Sequence, residues 1–328
     1  MNRLQALREY GQSYWLDFLS RDMLNNGELA YRVKHEGLGG VTSNPAIFEK
    51  SLKSANAYED QIRELVATGR TVPEIYNALL ISDVQAACDV LRTVYDRTEG
   101  QDGFVSLEVS PHLARDTDAT LAEARHLWQT VDRPNLLIKV PGTPEGVPAI
   151  EELIYQGINV NVTLLFGVGA YTAVAEAYLR ALERRWTAAK PIDRIASVAS
   201  FFLSRIDTLV DNLLDHRTVR DGLPNPRALR GQAAVANAKE AYRHYLEIAG
   251  SERWRALADQ GARVQRLLWA STGSKDPSYS QVKYVEPLIG PDTVTTLTPD
   301  TAAAFAERGE VAETLSEGLN EAARVFTD

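Results

Sequence analysis

Residues 103–141 read GFVSLEVSPHLARDTDATLAEARHLWQTVDRPNLLIKVP. At one end of this stretch Val105, Leu107 and Val109 alternate with Ser106, Glu108 and Ser110, which is the period of a strand. At the other end Leu136, Ile138 and Val140 alternate with Leu137 and Lys139. The segment between them, DATLAEARHLWQTV, carries helical spacing. Two strands separated by one helix form the unit from which a parallel sheet with helices on its outside is built.

The same alternation continues on both sides. β-rich runs stand at SYWLDF (13–18), GGVTS (39–43), GFVSLEVS (103–110), NLLIKVP (135–141), INVNVTLLF (158–166), RIASVASFF (194–202), RLLWAST (266–272) and TVTTLTP (293–299), eight in all, each followed by a helical stretch. A length of 328 residues permits one large α/β barrel or two average domains. No segment has the composition of a linker, so the expectation is a single (β/α)8 TIM barrel over 1–328. The stretch from about 206 to 265 is too long for one barrel connection and reads as two or three extra helices inserted before strand 7, with the polar turn TVRDGLPNPR inside it.

Hydrophobic residues make up 45% of the chain and charged residues 24%, the range of an ordinary globular protein. A net charge of −9 excludes the broad basic surface that nucleic acid requires. The single cysteine, Cys88, sits in the helical stretch ISDVQAACDVL, where a buried inert thiol is expected and no intramolecular disulfide can form. The five histidines have no metal-binding spacing, so no metal is expected. No window approaches the roughly 18 consecutive apolar residues of a membrane span, and the amino terminus lacks the apolar core of a secretory signal. The expected location is the cytoplasm.

A barrel binds its substrate at the carboxyl ends of its strands, so polar residues near those ends carry the chemistry. Alternation points Lys139 into the barrel. Held among apolar walls, its ammonium loses hydration, and the neutral amine becomes a nucleophile for a carbonyl carbon. The plainer reading is a lysine whose stem packs while its head reaches solvent. Glu108 belongs either to the barrel mouth or to solvent, and inside a barrel it requires a partner or an acid–base role. Asp17, between Leu16 and Phe18, is either a similar group or the cap of the next helix.

Asn159, Asn161 and Thr163 form a polar stripe opposite Val160, Val162 and Leu164. Such a stripe either grips substrate hydroxyls or satisfies itself. Asn44 before Pro45 is the ordinary opening of a helix, which does not prevent it from touching a substrate. Arg205 falls near a helix start, where the macrodipole disfavours a cation unless an anion sits alongside; Asp207 or a bound phosphate would serve. In PGTPEG, Thr143 reads as a cap and Pro144 as the first helical residue. Phosphate-binding glycine loops are absent, and no nucleotide or organic cofactor is expected.

Taken together, GGVTSNPAIFEKS, SLEVSPHLARDT, LLIKVPGTPEG, GINVNVTLLF and SVASFFLSRIDTLVD resemble the transaldolase family, in the same order along the chain. The likeness is strongest between about 37 and 207 and lies nearest the branch with a longer helical insertion, related to the transaldolase half of fusions with phosphoglucose isomerase. The resemblance implies a class I enzyme that moves a dihydroxyacetone unit between sugar phosphates through a Schiff base, without metal or cofactor. Lys139 matches the Schiff-base lysine, Glu108 the carboxylate working through an ordered water, Thr163 the hydroxyl that holds that water, and Asp17 the acid–base acting at C4. Asn44, Asn161 and Ser200 match the groups on the dihydroxyacetone hydroxyls, and Arg205 a phosphate-binding arginine.

Phe202 matches a family phenylalanine where the related fructose-6-phosphate aldolases carry tyrosine, which favours transfer over cleavage. Ser271 fits the pattern at strand 7, but the arginine that ordinarily follows is missing, and Lys275 is the nearest cation. The implied partners are sugar phosphates rather than nucleic acid or membrane, with the chain a monomer or a homodimer. Three functions stay open: a transaldolase, a fructose-6-phosphate aldolase-type lyase, and a non-catalytic barrel that binds sugar phosphates.

Overall fold

In the computed structural model, which describes residues 2–54, 56–217 and 226–326, eight parallel strands close on themselves in the order β1-β2-β3-β4-β5-β6-β7-β8. They are Gln12–Leu16 (β1), Gly40–Thr42 (β2), Phe104–Glu108 (β3), Leu136–Pro141 (β4), Val160–Leu165 (β5), Ser197–Phe202 (β6), Arg266–Ala270 (β7) and Thr293–Leu297 (β8). Each lies within a run read from the sequence except that β1 begins one residue earlier, at Gln12. Closure removes every free strand edge, and β8 returns to pair with β1 from Gln12↔Thr293 to Leu16↔Leu297.

The alternation sorts the strand residues as expected. Leu136, Ile138 and Val140 on β4 join Val105 and Leu107 on β3 in the apolar shell between strands and helices. Leu137 faces the other way and packs inside the barrel with Trp15, Phe104, Val198, Leu268 and Val294. These six side chains, all 2% exposed or less, fill the amino-terminal half of the barrel. Above them lies a polar layer. Ser200 Oγ donates to Asn161 Oδ1 at 2.6 Å, and Asn161 Nδ2 donates to Ser106 Oγ at 3.0 Å. Just before β5, Asn159 Nδ2 donates to the carbonyls of Pro134 and Leu136, and its Oδ1 accepts from Ala196 N, so it ties three strand entrances together.

Two elements depart from the sequence reading. Leu164 does not share the outward apolar face of Val160 and Val162: the β5–β6 register shifts between Val162 and Leu165, Leu164 takes φ +64° and is 39% exposed, and Leu165 fills the shell instead. The cause is a bulge, which inserts one residue and so reverses the alternation after it. The second departure follows β7, where the connection to β8 contains one short 3-10 turn, Glu286–Leu288, and no α-helix among the described residues. Its sequence, STGSKDPSYS, is built from turn formers that oppose a helix.

The insertion supplies the missing cover. Between β6 and β7 stand the helices Ser204–Asp215, Ala233–Ala249 and Glu252–Ala258, and Ala233–Ala249 packs against β7 and the 3-10 turn. Residues 218–225 of the polar turn lie outside the described residues. Cys88 is buried in the helix Val72–Arg97, and burial pushes its thiol up to about 12. No helix among the described residues is long and apolar enough to cross a membrane.

Candidate active site

The register of three neighbouring strands assembles the centre of the site. Glu108 on β3 is level with Lys139 on β4, and Lys139 is level with Asn161 on β5. All three point inward, above the apolar plug. Lys139 Nζ stands 3.0 Å from Glu108 Oε2 and donates to the carbonyl of Ser43 at 3.3 Å. The lysine is 7% exposed, so its head does not escape to solvent. Nor is it held among apolar walls: the strand that brings Lys139 inward also brings it level with a carboxylate. Proton removal from the amine therefore has a defined acceptor within hydrogen-bond reach. Glu108 Oε1 has no protein hydrogen bond among the described residues and remains open to a water or a substrate.

Thr163 lies one inward step beyond Asn161 and is 2% exposed, and its hydroxyl makes no hydrogen bond among the described residues. The bulge begins at the next residue. Leu164 on β5 and Ser271 after β7 are both non-glycine residues in the left-handed region, with φ of +64° and +56°. Each conformation costs on the order of 1–3 kcal/mol and is maintained by its surroundings, a common arrangement beside functional sites.

Asp17, just past β1, accepts a hydrogen bond from Thr42 Oγ1 at 2.7 Å. It does not cap the following helix, Arg21–Asn25; Ser20 does, accepting from Met23 N. Asn44 does cap, its Oδ1 accepting from Ile47 N at 3.1 Å in the helix Pro45–Ser54, while its amide nitrogen stays unengaged among the described residues. The turn beyond Lys139 is tight. Thr143 Oγ1 accepts from Gly146 N at 2.9 Å and opens the helix Gly146–Gln156, later than Pro144. A Cβ on Gly146 would lie 2.0 Å from the Pro141 carbonyl oxygen, so only glycine fits.

At the end of β6, Arg205 projects into solvent as the second residue of the helix Ser204–Asp215, whose amino end no side chain caps. Its guanidinium carbon lies 5.0 Å from the centre of the Phe202 ring, and that ring packs 5.2 Å from Phe166. Ser204 Oγ and Ser271 Oγ are hydrogen-bonded at 2.9 Å. Asp207 is not the counter-ion of Arg205. Its 1% exposed carboxylate turns inward, accepting from Ala234 N at 2.7 Å and Tyr284 OH at 2.9 Å. Burial pushes its carboxyl above the ordinary range, against the pull of those two hydrogen bonds. Lys275 is exposed and lines a separate cavity of about 350 Å3 with Asp211, Asp215, Asp276 and Arg230.

Several participants were not singled out from the sequence. Thr42 holds Asp17, the Ser43 carbonyl accepts from Lys139, Ser204 meets Ser271, and Phe166 supports Phe202. Thr42 had a signal, since in GGVTS it stands at the end of a short strand. The Ser43 carbonyl had none, because a backbone acceptor carries no residue type.

The barrel mouth thus gathers a buried amine against a carboxylate, a second carboxylate held by a hydroxyl, unengaged amide and hydroxyl groups, and an exposed guanidinium beside an uncapped helix end. Known proteins resemble this chain over nearly its whole length. The family model described as Transaldolase/Fructose-6-phosphate aldolase matches residues 14–328. A protein named Transaldolase 2 from Nostoc sp. is 50% identical over 327 residues, covering 98% of this chain and 86% of its own. A transaldolase from Thiobacillus denitrificans is 49% identical over 98% of this chain and 89% of its own. One from Trichodesmium erythraeum is 47% identical over 94% and 83%. With a whole-barrel match and relatives this similar, the chain belongs to the Transaldolase/Fructose-6-phosphate aldolase family.

Proposed function

We propose that this chain is a transaldolase. It takes a dihydroxyacetone unit from a ketose phosphate, sedoheptulose 7-phosphate or fructose 6-phosphate, and gives it to an aldose phosphate, glyceraldehyde 3-phosphate or erythrose 4-phosphate. The observation that carries this reading is the buried amine of Lys139, 3.0 Å from Glu108 at the carboxyl end of the barrel. Among the described residues no other lysine stands on a barrel strand.

As the ketose enters, Lys139 passes a proton to Glu108, and its free amine attacks the C2 carbonyl to form a carbinolamine. Glu108, through a water held by Thr163, returns a proton to the departing hydroxyl, and water leaves as the iminium forms. The iminium is an electron sink. Asp17 takes the proton from the C4 hydroxyl, the C3–C4 bond breaks, and its electron pair moves into the iminium to give an enamine while the aldose phosphate departs. Attack of the enamine on the acceptor aldehyde runs the same steps backward.

Asn44, Asn161 and Ser200 hold the dihydroxyacetone hydroxyls. Asn161 has one amide hydrogen and one lone pair to spare beyond its two bonds inside the barrel. Arg205, Ser271 and the uncapped helix end receive the phosphate, where a guanidinium and a helix amino terminus act together. Lys275, the other cation the sequence pointed to, lines the separate cavity beside Asp211, Asp215 and Asp276 and is not assigned to this phosphate. No metal or organic cofactor is needed for these steps, and the reaction is proposed to run in the cytoplasm.

Because the family also contains fructose-6-phosphate aldolases, the competing reading is cleavage that releases free dihydroxyacetone. Product analysis with and without an acceptor aldehyde separates the two. A transaldolase turns over only when the acceptor is present, whereas sustained release of dihydroxyacetone in its absence would establish the lyase. Phe202, without the hydroxyl of a tyrosine, favours transfer.

A further inference from the structure

The amino end of the barrel holds a cavity of about 490 Å3 that plays no part in the reaction above. Phe104 and Val198 line it from the apolar layer inside the barrel, and that layer separates it from Lys139. Three arginines, Arg8, Arg263 and Arg266, line it with two carboxylates, Asp102 and Asp292. In a chain of net charge −9 such a gathering of guanidinium groups is out of character.

The carboxylates are turned to other partners. Asp102 Oδ1 accepts from Trp15 Nε1 at 2.7 Å, and Asp292 Oδ2 from Tyr245 OH at 3.0 Å. Arg266 is also engaged, donating to Ser13 Oγ and the Gln101 carbonyl, each at 2.8 Å, with Asp102 at 3.7 Å. The other two arginines keep donors without a protein partner among the described residues. Arg263 donates Nη2 to the Glu99 carbonyl at 2.6 Å, but its Nη1 is buried with no hydrogen-bond partner. The Arg8 side chain makes no hydrogen bond or ion pair among the described residues.

Both guanidinium groups stand in surroundings that work against their charge. Burial lowers Arg263 from its ordinary value and Arg194 adds repulsion. Arg8 is an exposed residue; partial burial of its guanidinium lowers it, partly offset by Asp102 and reinforced by Arg97. A dianion would offset the repulsion from Arg194 and Arg97 and give both guanidinium groups a charged partner. Arg263 Nη1 itself is covered, lying beside Gly100 and the Tyr95 ring, so an anion in the cavity meets the remaining edge of that guanidinium and the Arg8 side chain. The volume is that of a small-metabolite site.

We propose that this cavity binds a small free phosphate monoester, with Arg263 and Arg8 on the phosphate and Thr98 and Gln101 beside the remainder of the molecule. The site is distinct from the one at Arg205, and it does not depend on the transfer reaction.

Equilibrium dialysis of the intact chain with radiolabelled inorganic phosphate, in buffer with 0.15 M chloride as about physiological ionic strength, tests this. The count is made in Arg205→Ala, which removes the guanidinium at the other phosphate site. One saturable site per chain is expected to survive there, and adding Arg263→Met or Arg8→Gln should weaken it at least roughly tenfold, the loss of one charge-assisted pair. Arg263 also braces the Glu99 carbonyl, so the fold of that variant is checked by thermal unfolding; Arg8 braces nothing, and Arg8→Gln keeps the test independent. No saturable site in Arg205→Ala, or a site that neither second substitution weakens, would overturn the proposal. Transfer activity without added phosphate is expected to be unchanged by Arg8→Gln, so failure here leaves the proposed function standing.

Discussion

Glu108→Gln keeps the shape of the side chain beside Lys139 and removes its ability to accept and return a proton. The affected contact is the 3.0 Å pair between Glu108 Oε2 and Lys139 Nζ. General acid–base catalysis by a positioned group contributes about 10²- to 10⁴-fold, which is roughly 2.7–5.4 kcal/mol at about 1.36 kcal/mol per factor of ten. Imine formation should slow by that amount. Phosphate affinity should not, because Arg205 and Ser271 stand at the ends of β6 and β7, away from the β3–β4 pair. The assay compares the rate of borohydride-trapped adduct formation with the affinity of a non-reactive sugar-phosphate inhibitor. A trapping rate that drops while inhibitor affinity holds within about twofold, roughly 0.4 kcal/mol, fits the acid–base role. Equal losses in both would refute it and make Glu108 a structural partner of the lysine.

Other substitutions test the frame. Arg205→Ala should raise KM for phosphorylated substrates by one to two orders of magnitude, roughly 1.5–3 kcal/mol for a charge-assisted pair, with a smaller change in kcat; steady-state kinetics reads the split. Trp15→Ala empties the largest side chain of the inner plug, which is 0% exposed, and should cost about 3–5 kcal/mol in denaturant unfolding. Cys88, raised to about 12, should resist thiol reagents at neutral pH until the chain unfolds, so the labelling rate should track unfolding. The same shift has a sign: a thiol whose value is raised on folding stabilises the fold below its unfolded value, and that contribution is lost as pH rises from the unfolded value of 9.0 toward about 12.

Much of the barrel was legible because a strand's inside and outside alternate residue by residue. Leu137 and Lys139 could be assigned to one face from NLLIKVP alone, and Asn44 as a cap from its place before Pro45. The alternation fails where the backbone inserts a residue, and nothing in VTLLF announces that Leu165 rather than Leu164 completes the shell. It also says nothing of partners on neighbouring strands. The lysine could be aimed inward from its own strand, but the carboxylate opposite it depends on the β3–β4 register, which local sequence does not encode. Asp207 shows the same limit. Two residues from Arg205 in sequence, it is turned by the helix into contact with Tyr284 and Ala234, partners contributed by a distant loop and by the insertion. The absence of a helix after β7 was legible in the turn formers of STGSKDPSYS, but the general alternation overrode it, and the helix that covers β7 precedes it in the chain.

The central claim is that one buried amine becomes covalently joined to the sugar. Incubation with fructose 6-phosphate, reduction with borohydride and peptide mapping by mass spectrometry test it directly. A single dihydroxyacetone-derived mass increase is expected on the peptide containing Lys139, and none in Lys139→Ala. An unchanged mass, or an adduct on any other lysine, would contradict it.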